Sequence, residues 1–241
     1  MSNIVIIPTY KEKENIERII RAISVLPVSF DILIIDDNSP DGTADIVKKL
    51  QSKFDNLYLI ERQSKLGLGT AYIAGFKWAI ARGYGYIYEM DADFSHNPKD
   101  LIKLFNACHE EGADLAIGSR YISGVNVIDW NLSRILMSYF ASVYVRMITG
   151  MKIRDTTAGF KCYKREVIEN INTEKIKSIG YGFQIEMKFM VWKLGYKIVE
   201  VPIVFTERKR GASKMSGGIF SEALWKVLGM KIGSMFTKYP H

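Results

Sequence analysis

The sequence predicts an α/β protein, with a mostly parallel central sheet flanked by helices and an amphipathic helix at the carboxyl end. Three observations carry that expectation. Short apolar runs alternate with helical patterns through the first half of the chain. The composition, 48% hydrophobic and 24% charged, is that of an ordinary folded protein. Apolar residues recur at helical spacing near the end.

The elements follow in order. Ile4 to Ile7 reads as a strand and Ile16 to Val25 as a helix. The pattern repeats with Ile32 to Ile35 and Thr43 to Phe54, then Leu57 to Ile60 and Gly69 to Ala81. Tyr84 to Met90 and Leu101 to Glu110 continue it, and Asp114 to Ile117 is a fifth strand. Strands separated by helices at this spacing pair in parallel and are covered on both faces. Chemistry in such sheets gathers beyond the carboxyl ends of the strands. Residues 1–217 are expected to form the main domain and residues 218–241 a basic helix. In that helix Ile219, Phe220, Ala223, Leu224, Val227, Leu228, Ile232, Met235 and Phe236 form an apolar stripe. Such a stripe lies on a membrane surface or packs on the body, and the sequence leaves both open.

Several classes fall away. Cys108 and Cys162 are too few for a disulfide scaffold, lack a CxxC partner and suit a reducing cytoplasm. The opening apolar run is too short for a signal peptide. The most apolar stretch has eleven residues between Arg134 and Arg146, against the roughly 20 a bilayer needs. The net charge of +7 is concentrated in Thr206 to His241, where seven basic residues face two acidic ones. That tail is either a solvated end or a surface for an anionic partner. A non-catalytic basic module is a remote alternative, and no RNA-binding aromatic motif supports nucleic acid.

Three strand ends carry the candidate chemistry. Pro8-Thr-Tyr-Lys-Glu12 follows the first strand, Asp36-Asp37 and a turn follow the second, and Asp91-Ala92-Asp93 follows the fourth. Thr9-x-x-Glu12 also fits a helix capping box. On a strand, Asp91 and Asp93 would project to one side about 6.5 Å apart. Such a pair can hold a divalent ion shared with substrate phosphates, although a lone DxD is also a common surface turn. Arg120, Arg208 and Lys214 supply the cations a departing diphosphate needs. Arg134 and Ser138 are four apart on one helical face and could cup a second phosphate. The first strand-to-helix turn lacks GxGxxG, so Gly67 and Gly69 are read as a tight turn and a packing position.

At these residues the chain resembles the dolichyl- and polyprenyl-phosphate mannose synthases of glycosyltransferase family 2, which have the GT-A fold. The likeness rests on Pro8 to Glu12, Ile35 to Thr43, Lys65 to Tyr72, Met90 to Pro98, Gly118 to Tyr121, Phe183 to Met187, and Glu200 to Ile203 with the Arg208 to Lys214 loop. It implies that Pro8, Tyr10, Glu12, Ile35 and Asp37 hold the guanosine of GDP-mannose. Asp91, Ala92 and Asp93 would bind the sugar nucleotide and Mg2+ or Mn2+. Ser95 stands where some relatives place a metal-ligating glutamine. Arg120, Arg208 and Lys214 would contact the donor phosphates, and Arg120, Arg134 and Ser138 the phosphate of a polyprenyl acceptor. Asp93, Arg120 and Arg208 would be the residues closest to catalysis. The resemblance also implies a cytoplasmic protein peripheral to the inner face of a membrane, with a small membrane subunit as a further partner.

The expected reaction is inverting transfer of mannose to the lipid phosphate. A phosphate monoester is already ionised near neutrality, its second pKa being about 6, so no general base is required. Glu186 could be proposed as one, but Phe183 to Met187 reads as a helix lining the site. The alternative keeps the fold and changes the donor to UDP-glucose or the acceptor to a saccharide, whose hydroxyl would need a base. The Gln-x-x-Arg-Trp signature of processive members is absent.

Overall fold

The computed structural model describes residues 2–176, 178, 180–208 and 218–236. The first unit is β1 (Asn3–Thr9), α1 (Ile16–Ser24), β2 (Asp31–Asp36), α2 (Thr43–Gln51), β3 (Leu57–Glu61) and α3 (Leu68–Ala81). It continues through β4 (Tyr86–Glu89), α4 (Leu101–His109), β5 (Leu115–Ser119), β6 (Val127–Ile128) and α5 (Leu132–Thr149). The remainder is β7 (Lys161–Lys164), α6 (Arg165–Asn170), α7 (Tyr181–Lys193), β8 (Ile198–Pro202), β9 (Phe205–Thr206) and α8 (Gly218–Phe236).

Seven strands form one sheet in the order β3-β2-β1-β4-β7-β5-β8, while β6 and β9 make a separate parallel pair. Every neighbour in the large sheet is parallel except β7, which runs antiparallel between β4 and β5. The mostly parallel expectation is met; β7 itself was not foreseen. Alternate residues of β1 serve opposite cores. Ile4 and Ile6 join α3, α6 and α7 on one face, while Val5 and Ile7 join α1, α2 and α4 on the other. Gly75 lets α3 sit directly on the sheet, since a Cβ there would lie 2.7 Å from Ile6 Cγ2.

The helix readings differ from the observed helices by one to three residues at their ends. One boundary matters for function. The fourth strand stops at Glu89, and Asp91 to Asp93 lie in a bend beyond it rather than on the strand. Met90 N still donates to Ile6 O at 3.2 Å, and the chain then turns through Phe94 at φ 61°. The expected strand-like spacing of the two aspartates is therefore corrected to a turn.

Helix α8 packs on α5 and α7, with Val227 buried in their shared core. Its other side leaves Ile232, Met235 and Phe236 exposed. No described helix is long and apolar enough to cross a membrane.

Candidate active site

The ends of β1 and β2 shape one wall. Pro8 pairs with Ile35 across these strands. Thr9 Oγ1 donates to Asp36 Oδ2 at 2.8 Å, and Ser39 supplies two further donors to the Asp36 carboxylate, at 2.8 and 2.6 Å. Asp36 is thus the structural acid of its pair. Asp37 is held differently, accepting from Arg62 Nε at 2.5 Å and from Leu66 N at 3.2 Å. Arg62 also donates to Thr70 Oγ1 at 2.8 Å and Gly67 O at 3.2 Å, tying the Gly67 turn to Asp37. That turn needs φ 100° at Gly67, and Gly69 packs where a Cβ would meet Ser178 O at 2.7 Å, so both glycine readings hold.

Tyr10 faces this wall with Lys65 Nζ 4.7 Å and Lys11 Nζ 5.5 Å from its ring centre. Glu12 is buried and accepts from Asn15 Nδ2 at 2.9 Å, while its amide donates to Thr43 Oγ1. The capping box does not form: Thr9 belongs to β1 and Asn15 precedes α1. Ile35 is a second correction. It is completely buried in the core beside Gly75 and offers a ligand no surface. Ala92 likewise turns into the core.

The bend after β4 brings the acids together. Asp93 Oδ1 accepts from Ser95 N at 3.0 Å, and Asp93 Oδ2 pairs with Arg208 at 2.9 Å. Burial opposes the Asp93 charge, but Ser95 and Arg208 outweigh it and hold the carboxyl below its usual range. Asp91 is pushed the other way, by its recessed position and then by Asp93, against the pull of Arg208. Its side chain still keeps 38% of its surface open to the crevice. Two crowded carboxylates, one of them driven toward protonation, are what a cation would relieve. The buried Ser95 hydroxyl lies beside them and helps to hold the Asp93 charge. Among the described residues no three His, Cys, Asp or Glu side chains form a metal cluster. The acid pair therefore fits an ion completed by substrate phosphate oxygens and not a closed protein cage.

His96, to which the sequence reading gave no role, supports this bend. It is buried between Phe160 and Phe205, and burial lowers its pKa to about 4. The neutral ring accepts from Asp91 N at Nδ1, 3.4 Å away.

The opposite wall comes from β5, α5 and β9. Arg120 does not present an open fork. Its Nε and Nη2 donate to the two oxygens of Asp155 at 2.7 and 2.6 Å, and Nη2 also donates to Thr157 Oγ1 at 2.6 Å. Asp155 is completely buried; its amide donates to Glu200 Oε1 at 2.9 Å. Burial disfavours the Asp155 charge, but Arg120 more than compensates and keeps the carboxyl low. On α5, Asn131 caps the helix by accepting from Arg134 N. Arg134 pairs with Glu207, and Ser138 Oγ accepts from Tyr121 Oη at 2.8 Å.

Glu207 and Arg208 join the two walls. The first reaches Arg134 on α5 and the second reaches Asp93 beyond β4. Backbone bonds hold the connection: Thr206 N donates to Ser95 O and Glu207 N to Ile128 O. Glu186 lies on α7 and accepts from Ser178 N at 3.1 Å, which places it in a local turn. Lys214 lies outside the described residues. Sequence reasoning missed Arg62, Asp155 and Glu207, and it quoted the segments that hold His96 and Glu200 without giving either a role.

The site is thus a mostly parallel sheet with acids beyond its central strands and arginines paired with acids on both walls. The comparisons make the class specific. The family model "Glycosyl transferase family 2" matches residues 4–171, and the chain belongs to that family and is a glycosyltransferase. It is 46% identical over 225 residues to the polyprenol monophosphomannose synthase of Mycolicibacterium smegmatis, covering 93% of this chain and 84% of the relative. It is 43% identical over 227 residues to the undecaprenyl-phosphate mannosyltransferase of Micrococcus luteus, covering 94% and 93%.

Among solved structures it resembles a Pyrobaculum calidifontis mannosyltransferase in complex with GDP-Man and Mn2+. The TM-score is 0.61 at 16% identity, over 98% of this chain and 65% of that one. It also resembles Mycobacterium tuberculosis glucosyl-3-phosphoglycerate synthase with Mn2+, UDP and glucosyl-3-phosphoglycerate. There the TM-score is 0.64 at 16% identity, over 100% and 81%. At such identities the likeness is one of fold, and the fold is GT-A as expected.

Proposed function

We infer that the chain transfers mannose from GDP-mannose to the phosphate of a polyprenyl lipid, with inversion at the anomeric carbon. The names of the two relatives above 40% identity support mannose and a polyprenyl phosphate. The observation that carries the reading is the joined pair of walls. Arg208 pairs with Asp93 and Arg134 with the adjacent Glu207, which supports two neighbouring anion positions, the arrangement that a phosphate attacking a sugar diphosphate requires.

In this reading Tyr10, Glu12 and Asp37 shape the nucleoside pocket, with Pro8 at its edge. Asp91 and Asp93 would hold Mg2+ or Mn2+, with the Ser95 hydroxyl beside them; such an ion supplies charge neutralisation on the diphosphate. Arg208, and Lys214 in the segment that follows it, stabilise the negative charge that grows on the departing GDP. Arg134, Ser138 and Arg120 orient the lipid phosphate. A phosphate oxygen forms the new bond to the anomeric carbon as the bond from that carbon to the diphosphate oxygen breaks. No proton need be removed, in keeping with the engagement of Glu186 elsewhere.

The acceptor side is also where apolar surface is exposed. Leu132, Leu136, Phe140 and Met147 project from α5 with 45–78% of their surface open. Ile232, Met235 and Phe236 of α8 are exposed on the helix packed beside it. A membrane-surface role for this pair of helices would deliver the lipid phosphate beside Arg134. The test is product analysis with labelled GDP-mannose, a short polyprenyl phosphate and Mg2+ or Mn2+. Metal-dependent lipid-linked mannose is expected, and its absence overturns the reading.

A further inference from the structure

Trp130 stands immediately before the cap of α5, where the arginines of the acceptor wall meet. The Arg134 guanidinium lies 4.2 Å from its ring centre and that of Arg120 5.6 Å away. Phe205 packs edge-on against the same indole at 5.2 Å. Each guanidinium is drawn to the indole ring, which offsets part of the repulsion between the two cations. The indole Nε1–H is buried and has no hydrogen-bond partner. Buried donors are nearly always paired, and one without a partner beside two arginines would be satisfied by an anion oxygen brought to it.

We propose that Trp130 is an acceptor-binding residue: its Nε1–H donates to an oxygen of the lipid phosphate while its ring sets the spacing of Arg120 and Arg134. This deepens the proposed function and rests on it. It assigns two duties to one side chain, and two variants remove them stepwise. Trp130→Phe deletes the N–H and keeps a ring; Trp130→Leu deletes both.

The experiment measures KM for a short polyprenyl phosphate and for GDP-mannose in W130F, W130L and R134A. The expectation for W130F is a rise of roughly tenfold or more in acceptor KM with donor KM unchanged, the loss of one hydrogen bond to a charged group. W130L should raise acceptor KM further. If R134A raises acceptor KM and W130F does not, the inference about Trp130 is overturned while the site reading stands. If R134A leaves acceptor KM unchanged, the reading of this wall fails first.

A second measurement reads binding on the unsubstituted protein. In the 15N-indole spectrum of the full-length protein, one of the four tryptophan Nε1–H signals should move downfield on adding the short polyprenyl phosphate and not on adding GDP. W130F identifies the signal by its absence. A Trp130 signal that ignores the acceptor overturns the proposal.

Discussion

The two walls of the crevice differ in what carries them, sheet-anchored loops on one side and a helix with an exposed apolar side on the other. The strand-end wall draws its acids from loops anchored in the sheet: Asp36 is held by Thr9 and Ser39, while Asp37 and Asp93 each combine a backbone amide with an ion pair, to Arg62 and Arg208. The α5 wall draws its cations from a helix with an exposed apolar side, and Arg120 and Arg134 are held by the distant carboxylates of Asp155 and Glu207. A rigid polar wall fixed to the sheet suits a polar nucleotide that arrives from solution. Cations held in ion pairs on a partly apolar surface suit an anion that arrives on a lipid.

The sharpest break between the walls is at the acid pair. Asp93→Asn should lower kcat roughly 10²- to 10³-fold, the scale of losing one preorganised charge contact, and should abolish the effect of metal on GDP binding by calorimetry. Comparable metal-dependent binding in wild type and D93N would remove the strand-end wall from the account.

Stability gives the next effect. Asp155→Asn leaves Arg120 buried without its counter-charge and should cost about 3 kcal/mol, roughly a 10 °C fall in melting temperature for a chain of this size. The pH dependence has a definite sign. The folded Asp155 carboxyl lies below its unfolded value, so its stabilisation is present above about pH 4 and is lost as pH falls through the folded value. Thermal melts should show wild type losing more stability than D155N between about pH 4 and pH 2. Equal losses would contradict a charged pair.

The smallest effect concerns the apolar surface. Phe140→Glu together with Met147→Glu should weaken binding to anionic phospholipid vesicles by roughly tenfold or more and leave transfer to a short acceptor in detergent unchanged. Undiminished vesicle binding would move the membrane contact elsewhere.

The same contrast explains what the sequence disclosed. Asp91, Asp93, Asp37 and Glu12 were legible because each follows an apolar run within a few residues, and strand ends are where parallel sheets place chemistry. The four foreseen helices from α1 to α4 were legible from spacing alone. The α5 wall was legible only as isolated basic residues. Arg120 meets Asp155 across 35 residues, a contact created when β7 inserts antiparallel beside β5, and no local pattern announces it. β7 itself was hidden because Lys161-Cys-Tyr-Lys164 does not read as apolar. Lys161 is completely buried against Glu89 and Gln184, a tertiary pairing that outweighs its composition. The two-residue strands β6 and β9, which bring Glu207 and Arg208 to both walls, are too short to carry any period.

The most direct test is to measure the Michaelis constants for GDP-mannose and a short polyprenyl phosphate separately in Arg208→Ala and Arg134→Ala. R208A is expected to raise the constant for GDP-mannose and R134A that for the lipid phosphate, each by about tenfold or more. Both substitutions acting on the same substrate, or neither acting on either, would contradict a crevice with one wall for each anion.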